Sequence, residues 1–121
     1  MEGWIYYKVP TNGVMTGTNV KATCDSANLE APCYYHDHSY ASSACVHTIS
    51  SGQTFQRLSS AICGHNSPTS CPQLLDVFLY MYGWFSGDAC GVTSSQGYCS
   101  RGTYFSNKFS LCAKRGKKIE S

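Results

Sequence analysis

The chain carries eight cysteines, Cys24, Cys33, Cys45, Cys63, Cys71, Cys90, Cys99 and Cys112, and no two of them stand at C-x-x-C spacing. Zinc ribbons, zinc fingers and thioredoxin-type redox motifs all need that close spacing, so none is supported. An even number of cysteines spread through a chain of one-domain size reads as a set of disulfides formed in an oxidising compartment. The expected localisation is therefore extracellular or secreted. Connectivity stays open, because eight cysteines allow on the order of a hundred pairings. Since short loops close most easily, the expectation is Cys33–Cys45, Cys63–Cys71 and Cys90–Cys99, leaving Cys24 for Cys112.

Composition agrees with a stapled domain. The hydrophobic share is 42%, but that figure includes the eight Cys and nine Tyr, and charged residues make up only 13%. The charge is also unevenly placed. Lys114, Arg115, Lys117 and Lys118 face only Glu120 at the C-terminal end, whereas the first 112 residues hold five basic and six acidic side chains. A polyanion-binding fold needs clustered cations within it, so no nucleic-acid partner is expected. The expected organisation is one domain over residues 1–113 with a basic tail or linker over 114–121. No apolar run reaches the roughly 18 residues that span a bilayer, so no membrane insertion is expected. Met1-Glu2-Gly3-Trp4 lacks the basic and apolar regions of a signal peptide, so an extracellular setting would make this chain a mature fragment or an excised module.

The local pattern mixes periods. Residues 4–9 are β-branched and aromatic and stop at Pro10, which predicts a strand, and Thr11-Asn12-Gly13 predicts a turn. Thr18 or Asn19 can cap a helix whose face is Val20, Cys24, Ala27 and Ala31 and which ends before Pro32. Residues 33–52 lack a period, apart from Val46–Ile49, which reads as a short strand. Phe55, Leu58 and Ile62 predict a second helix from Thr54 to Cys63 with Gly64 as its terminator. From Val77 to Phe85 aliphatic and aromatic residues alternate, as in a strand with one face of each kind. The Gly- and Ser-rich residues 86–103 read as a long stapled loop. Tyr104 to Lys114 reads as a last strand with Phe105, Phe109 and Leu111 on one side. This order gives a small disulfide-rich α+β domain, two helices packed on a small antiparallel sheet.

Candidate chemistry gathers in two places. Phe78, Tyr80, Tyr82 and Trp84 would share one strand face, and an exposed aromatic row suits stacking on sugar rings or gripping a protein. Tyr34, Tyr35 and Tyr40 form a second cluster in an irregular segment, a good recognition surface at low entropic cost. His36 and His38 would share a strand face, with His47 further on, yet no third zinc ligand is identifiable, so neither metal nor cofactor is expected. Serine is abundant, but no G-x-S-x-G element accompanies it.

The segment Cys33-Tyr34-Tyr35-His36-Asp37 resembles the catalytic segment of secreted phospholipases A2. That resemblance would make His36 a base and Asp37 a calcium ligand. Pro32 and Tyr40 stand where that family has cysteines, and residues 11–30 contain no counterpart of its calcium loop. Trp4-Ile5-Tyr6-Tyr7-Lys8-Val9-Pro10, Met15-Thr16, Val20-Lys21-Ala22-Thr23-Cys24 and Ser110-Leu111-Cys112-Ala113 together resemble cysteine-rich modules of large extracellular multidomain proteins of invertebrates. This second resemblance implies an extracellular location and a modular role. Lectin-like domains share the coarse element order, although the calcium motifs of C-type lectins are missing. The leading expectation is a non-enzymatic extracellular module that binds protein or glycan. The alternatives are a small secreted hydrolase using His36 and Asp37, and a structural spacer.

Overall fold

The computed structural model describes residues 2–36, 45–81, 88–93 and 97–116. Seven principal elements follow one another along the chain: β1 (Trp4–Pro10), α1 (Gly17–Ser26), α2 (Thr54–Cys63), β2 (Val77–Leu79), β3 (Cys90–Thr93), β4 (Gly97–Arg101) and β5 (Phe109–Arg115). The five strands form one sheet in the order β1-β5-β2-β3-β4, so β1 and β4 are its edges. Only β2 and β5 run parallel; the other three pairings are antiparallel. The protein is a small disulfide-rich α+β domain.

The helices cover opposite faces of the sheet, as the period-two alternation of the strands shows. Val77, Leu79 and Leu111 pack with Phe55, Leu58 and Leu74 on the α2 side. Phe78 packs with Met15 and Val20 on the α1 side, and Cys112 meets Cys24 there. With both faces covered, Val77, Phe78 and Leu79 are all buried, whatever their chemistry. The expected strand from Val77 to Phe85 is therefore shorter among the described residues, and its aromatic face contributes Phe78 to the core.

Helix α2 has the expected bounds, and Gly64 closes it in the left-handed region at φ 79°, donating its N–H to the Ser60 carbonyl. Ile62, expected on the buried face, is 46% exposed. Helix α1 starts earlier than expected, capped by Thr16, whose hydroxyl accepts the Asn19 N–H at 3.1 Å. It also ends earlier. Asn28 adopts φ 59°, and the N–H groups of Asn28 and Leu29 fold back onto the carbonyls of Asp25 and Cys24. This is the helix-ending motif that a left-handed asparagine permits, and it stops the helix before Pro32 has any effect.

Residues 86–103 correct the expectation of a loop. They contain the β3–β4 hairpin, whose first strand is wholly buried. Gly91 lies opposite Phe78, and the Phe78 ring occupies the space a side chain at 91 would need. Thr93 and Ser100 share a buried hydroxyl hydrogen bond of 2.7 Å. Gly91, Thr93 and Ser100 thus serve packing rather than looseness. Val46 makes only an isolated bridge to Pro32 in place of the expected short strand. The last strand begins at Phe109, and Phe105 instead packs on Phe78 across the α1 side, at 5.5 Å between ring centres. Lys114 and Arg115 belong to β5, so part of the basic end is built into the sheet.

All four disulfides pair as loop closure suggested, and no cysteine is free. Cys24–Cys112 fastens α1 to β5, Cys63–Cys71 ties the end of α2 to the turn after it, and Cys90–Cys99 crosses the hairpin.

Candidate functional site

The tyrosine cluster is largely structural. Tyr34 is 2% exposed, which corrects its expected place on a recognition surface. Its ring meets Tyr35 edge-on at 4.8 Å and Phe55 at 6.1 Å. Gln53 ties the pair together, accepting from the Tyr34 hydroxyl and donating to the Tyr35 hydroxyl, each at 3.2 Å. A buried tyrosine needs such a partner, and glutamine can serve two at once. Tyr35 is half-buried beside it. His36 is exposed, with Nδ1 3.2 Å from the Gly52 carbonyl oxygen. It lines neither of the two concavities described below. Asp37, His38, Tyr40, Tyr82 and Trp84 lie outside the described residues. Tyr80 is half-buried against the α1-side clusters. Among the described residues, no three His, Cys, Asp or Glu side chains gather where they could hold a metal ion.

One buried carboxylate stands out, and it is fully engaged. Asp88 accepts from Arg101 Nε at 2.7 Å, from the Thr103 N–H at 2.8 Å and from the Thr103 hydroxyl at 3.2 Å. The hydrogen bond to Asp88 pushes the Arg101 guanidinium above its ordinary range. Both carboxylate oxygens are used and the residue is fully buried, so Asp88 locks the start of β3 to the turn after β4 rather than facing a substrate.

The most distinctive surface is one the linear pattern concealed. Between α2 and the β1 side of the sheet lies a cleft of about 250 Å³ lined chiefly by Tyr6, Lys8, Leu58, Ile62, Leu74 and Leu111. Along its rim runs β1, an edge strand with Ile5 49% and Tyr7 40% exposed on the opposite face. The backbone of this edge is open. Gly116 donates to the Gly3 carbonyl and Thr11 to the Lys108 carbonyl, which fixes the phase of the antiparallel ladder with β5. Alternate residues of such a ladder turn their N–H and C=O groups to opposite sides. Odd-numbered residues of β1 therefore bond to β5, whereas Tyr6 and Lys8 direct theirs outward, where no described residue meets them. Pro10, which has no N–H, falls on the outward set, where its missing donor costs nothing.

Tyr6 also sets a pH dependence. Its hydroxyl and that of Thr48 are buried side by side without reaching hydrogen-bond geometry. Burial pushes the Tyr6 phenol above its usual value, and the neighbouring Thr48 hydroxyl works against this. A phenol whose folded-state pKa is raised contributes stability that is fully present below about pH 10 and lost as pH rises through the folded-state value. Tyr6→Phe is expected to change stability at neutral pH by less than about 1 kcal/mol, because no hydrogen bond is lost. It should also make the alkaline decline shallower. Urea denaturation at neutral and alkaline pH measures both effects.

A second, more open groove of about 440 Å³ lies between the end of β1 and the outer side of α1, with Asn12, Asn19, Thr23 and Ser26 as its polar residues. Comparison of the chain with protein-family models, with curated proteins and with solved structures finds no match.

Proposed function

We propose that this domain is a non-enzymatic extracellular binding module whose ligand is a protein. The observation that carries the reading is the apolar cleft between α2 and β1, with Ile62 exposed at its margin beside a strand edge that no described residue pairs. A concave apolar surface continued by an exposed aliphatic at its margin is the kind of surface that gains free energy when a partner covers it. The four disulfides fit a secreted or extracellular setting, and no helix among the described residues is long and apolar enough to cross a membrane. The resemblance to extracellular modules supports the same role.

A glycan is the second reading, favoured by the amide and hydroxyl side chains of the α1 groove. The hydrolase reading gains nothing from His36, which is solvent-exposed on the Gly52 carbonyl. Selecting a phage-displayed random peptide library on the oxidised domain, in parallel with a glycan array read with and without calcium, separates the readings. Enriched peptides with a silent array are expected. Glycan binding without peptide enrichment moves the function to the α1 groove, and silence in both removes the binding role.

A further inference from the structure

We infer that the partner binds as an extended acidic segment that adds a strand to the β1 edge; this rests on the module reading above. Three observations converge on this edge. The outward N–H and C=O groups of Tyr6 and Lys8 form a ready template for main-chain pairing. The cleft under Leu58, Ile62 and Leu74 lies on the face to which Tyr6 and Lys8 point, so an apolar side chain of the added strand can reach over β1 into it. The charge of the edge selects the partner. Lys8 lies on β1, and Lys114 and Arg115 stand opposite Ile5 and Trp4 at its start.

Among the described residues these cations form no ion pair. Lys8 donates to the Gln73 carbonyl and lies 5.1 Å from the Phe109 ring centre, while Arg115 sits over the Trp4 ring at 4.6 Å. Neither arrangement neutralises charge. Glu2 is held by Arg57 at 3.0 Å, and Glu30 bonds to Ala113 on the side of β5 away from β1. Two copies pairing β1 to β1 would bring both sets of cations to one seam, and like charges across a strand pair oppose it. A foreign strand with carboxylates near Lys114 and Arg115 and an apolar residue for the cleft satisfies every feature of the edge. Charge of this kind sets partner choice and association rate more than final affinity.

The test uses peptides selected from the random library on the intact, oxidised domain. They are expected to alternate apolar positions and to carry Asp or Glu, with binding that weakens as salt rises. Ile62→Glu, which fills the exposed mouth of the cleft with a charge, should weaken them about tenfold or more, and Lys114→Glu should weaken them by a similar factor. Lys8→Pro removes one outward N–H and should do the same; if that variant does not fold, Lys8→Glu replaces it. Near-ultraviolet circular dichroism checks that each variant is folded. Binders that ignore all these changes overturn the edge inference and leave the module reading standing, whereas a library that enriches nothing overturns both. Concentration-dependent dimerisation abolished by Ile62→Glu would assign the edge to a second copy and also overturn the inference.

Discussion

Replacing Cys24 and Cys112 together by alanine is expected to lower the free energy of unfolding by roughly 4.5 kcal/mol, whereas the same change at Cys63 and Cys71 should lower it by only about 2.5 kcal/mol. The difference follows from loop closure. Cys24 and Cys112 are 88 residues apart, and Cys63 and Cys71 only 8. The long bridge removes far more freedom from the unfolded chain, and it also holds α1 against β5 at a point where both sulfurs are fully buried. For a chain of this size the larger loss corresponds to a fall in melting temperature of about 15 °C or more. Denaturant titration of the two double variants measures both values. Equal losses would mean that native packing around each bridge, rather than restriction of the unfolded chain, sets their worth.

Gly102→Ala is expected to cost about 3 kcal/mol or more, one of the largest effects of any single methyl group in this protein. A β-carbon at 102 would run into the Met15 carbonyl oxygen and crowd the Ala89 nitrogen. Both are backbone atoms and cannot turn aside as a flexible side chain can. Gly102 also donates its N–H to the Ala89 carbonyl at 3.0 Å, so the turn after β4 is held against the start of β3, and the Met15 N–H bonds to the Phe105 carbonyl, which brings the segment leading into α1 against that same turn. Gly64 provides the contrast. An alanine there meets open space and must only adopt the left-handed region, which costs about 1 kcal/mol. Parallel urea melts of the two variants should separate them clearly, and a Gly102→Ala protein as stable as Gly64→Ala would show that the Met15 segment yields.

What could be read in the chain divides by range. Helix α2 was legible because its signals are local: Phe55 and Leu58 recur at helical spacing, and Gly64 supplies the left-handed terminator. The disulfide pairing was legible because three of the four bridges close loops of 12 residues or fewer. The β3–β4 hairpin was hidden because Gly91 reads as loop until Phe78 is placed over it. Thr93 and Ser100 read as solvent-facing until they are seen bonding to each other. Asn28 ended α1 through a left-handed turn that the apolar spacing of Ala27 and Ala31 gave no sign of.

The candidate surface was less legible still. Tyr34 looked like a contact residue, but Gln53 supplies a partner that lets its hydroxyl be buried. In the other direction, Tyr6, Tyr7 and Lys8 read as an ordinary strand. Only the pairing of β1 with β5, joining the two ends of the chain, decides which of their backbone groups are left open. The signal available beforehand was Pro10, since a proline closing a strand favours an edge.

The claim that β1 is an open edge completed by a partner strand can be read directly from backbone amide hydrogen exchange, residue by residue. In the free domain the amides of Ile5, Tyr7 and Val9 should exchange slowly, because they bond to β5, and those of Tyr6 and Lys8 should exchange fast. Adding a selected acidic peptide should slow Tyr6 and Lys8 to the rates of their neighbours. Exchange at Tyr6 and Lys8 that stays fast with the peptide bound would contradict the account.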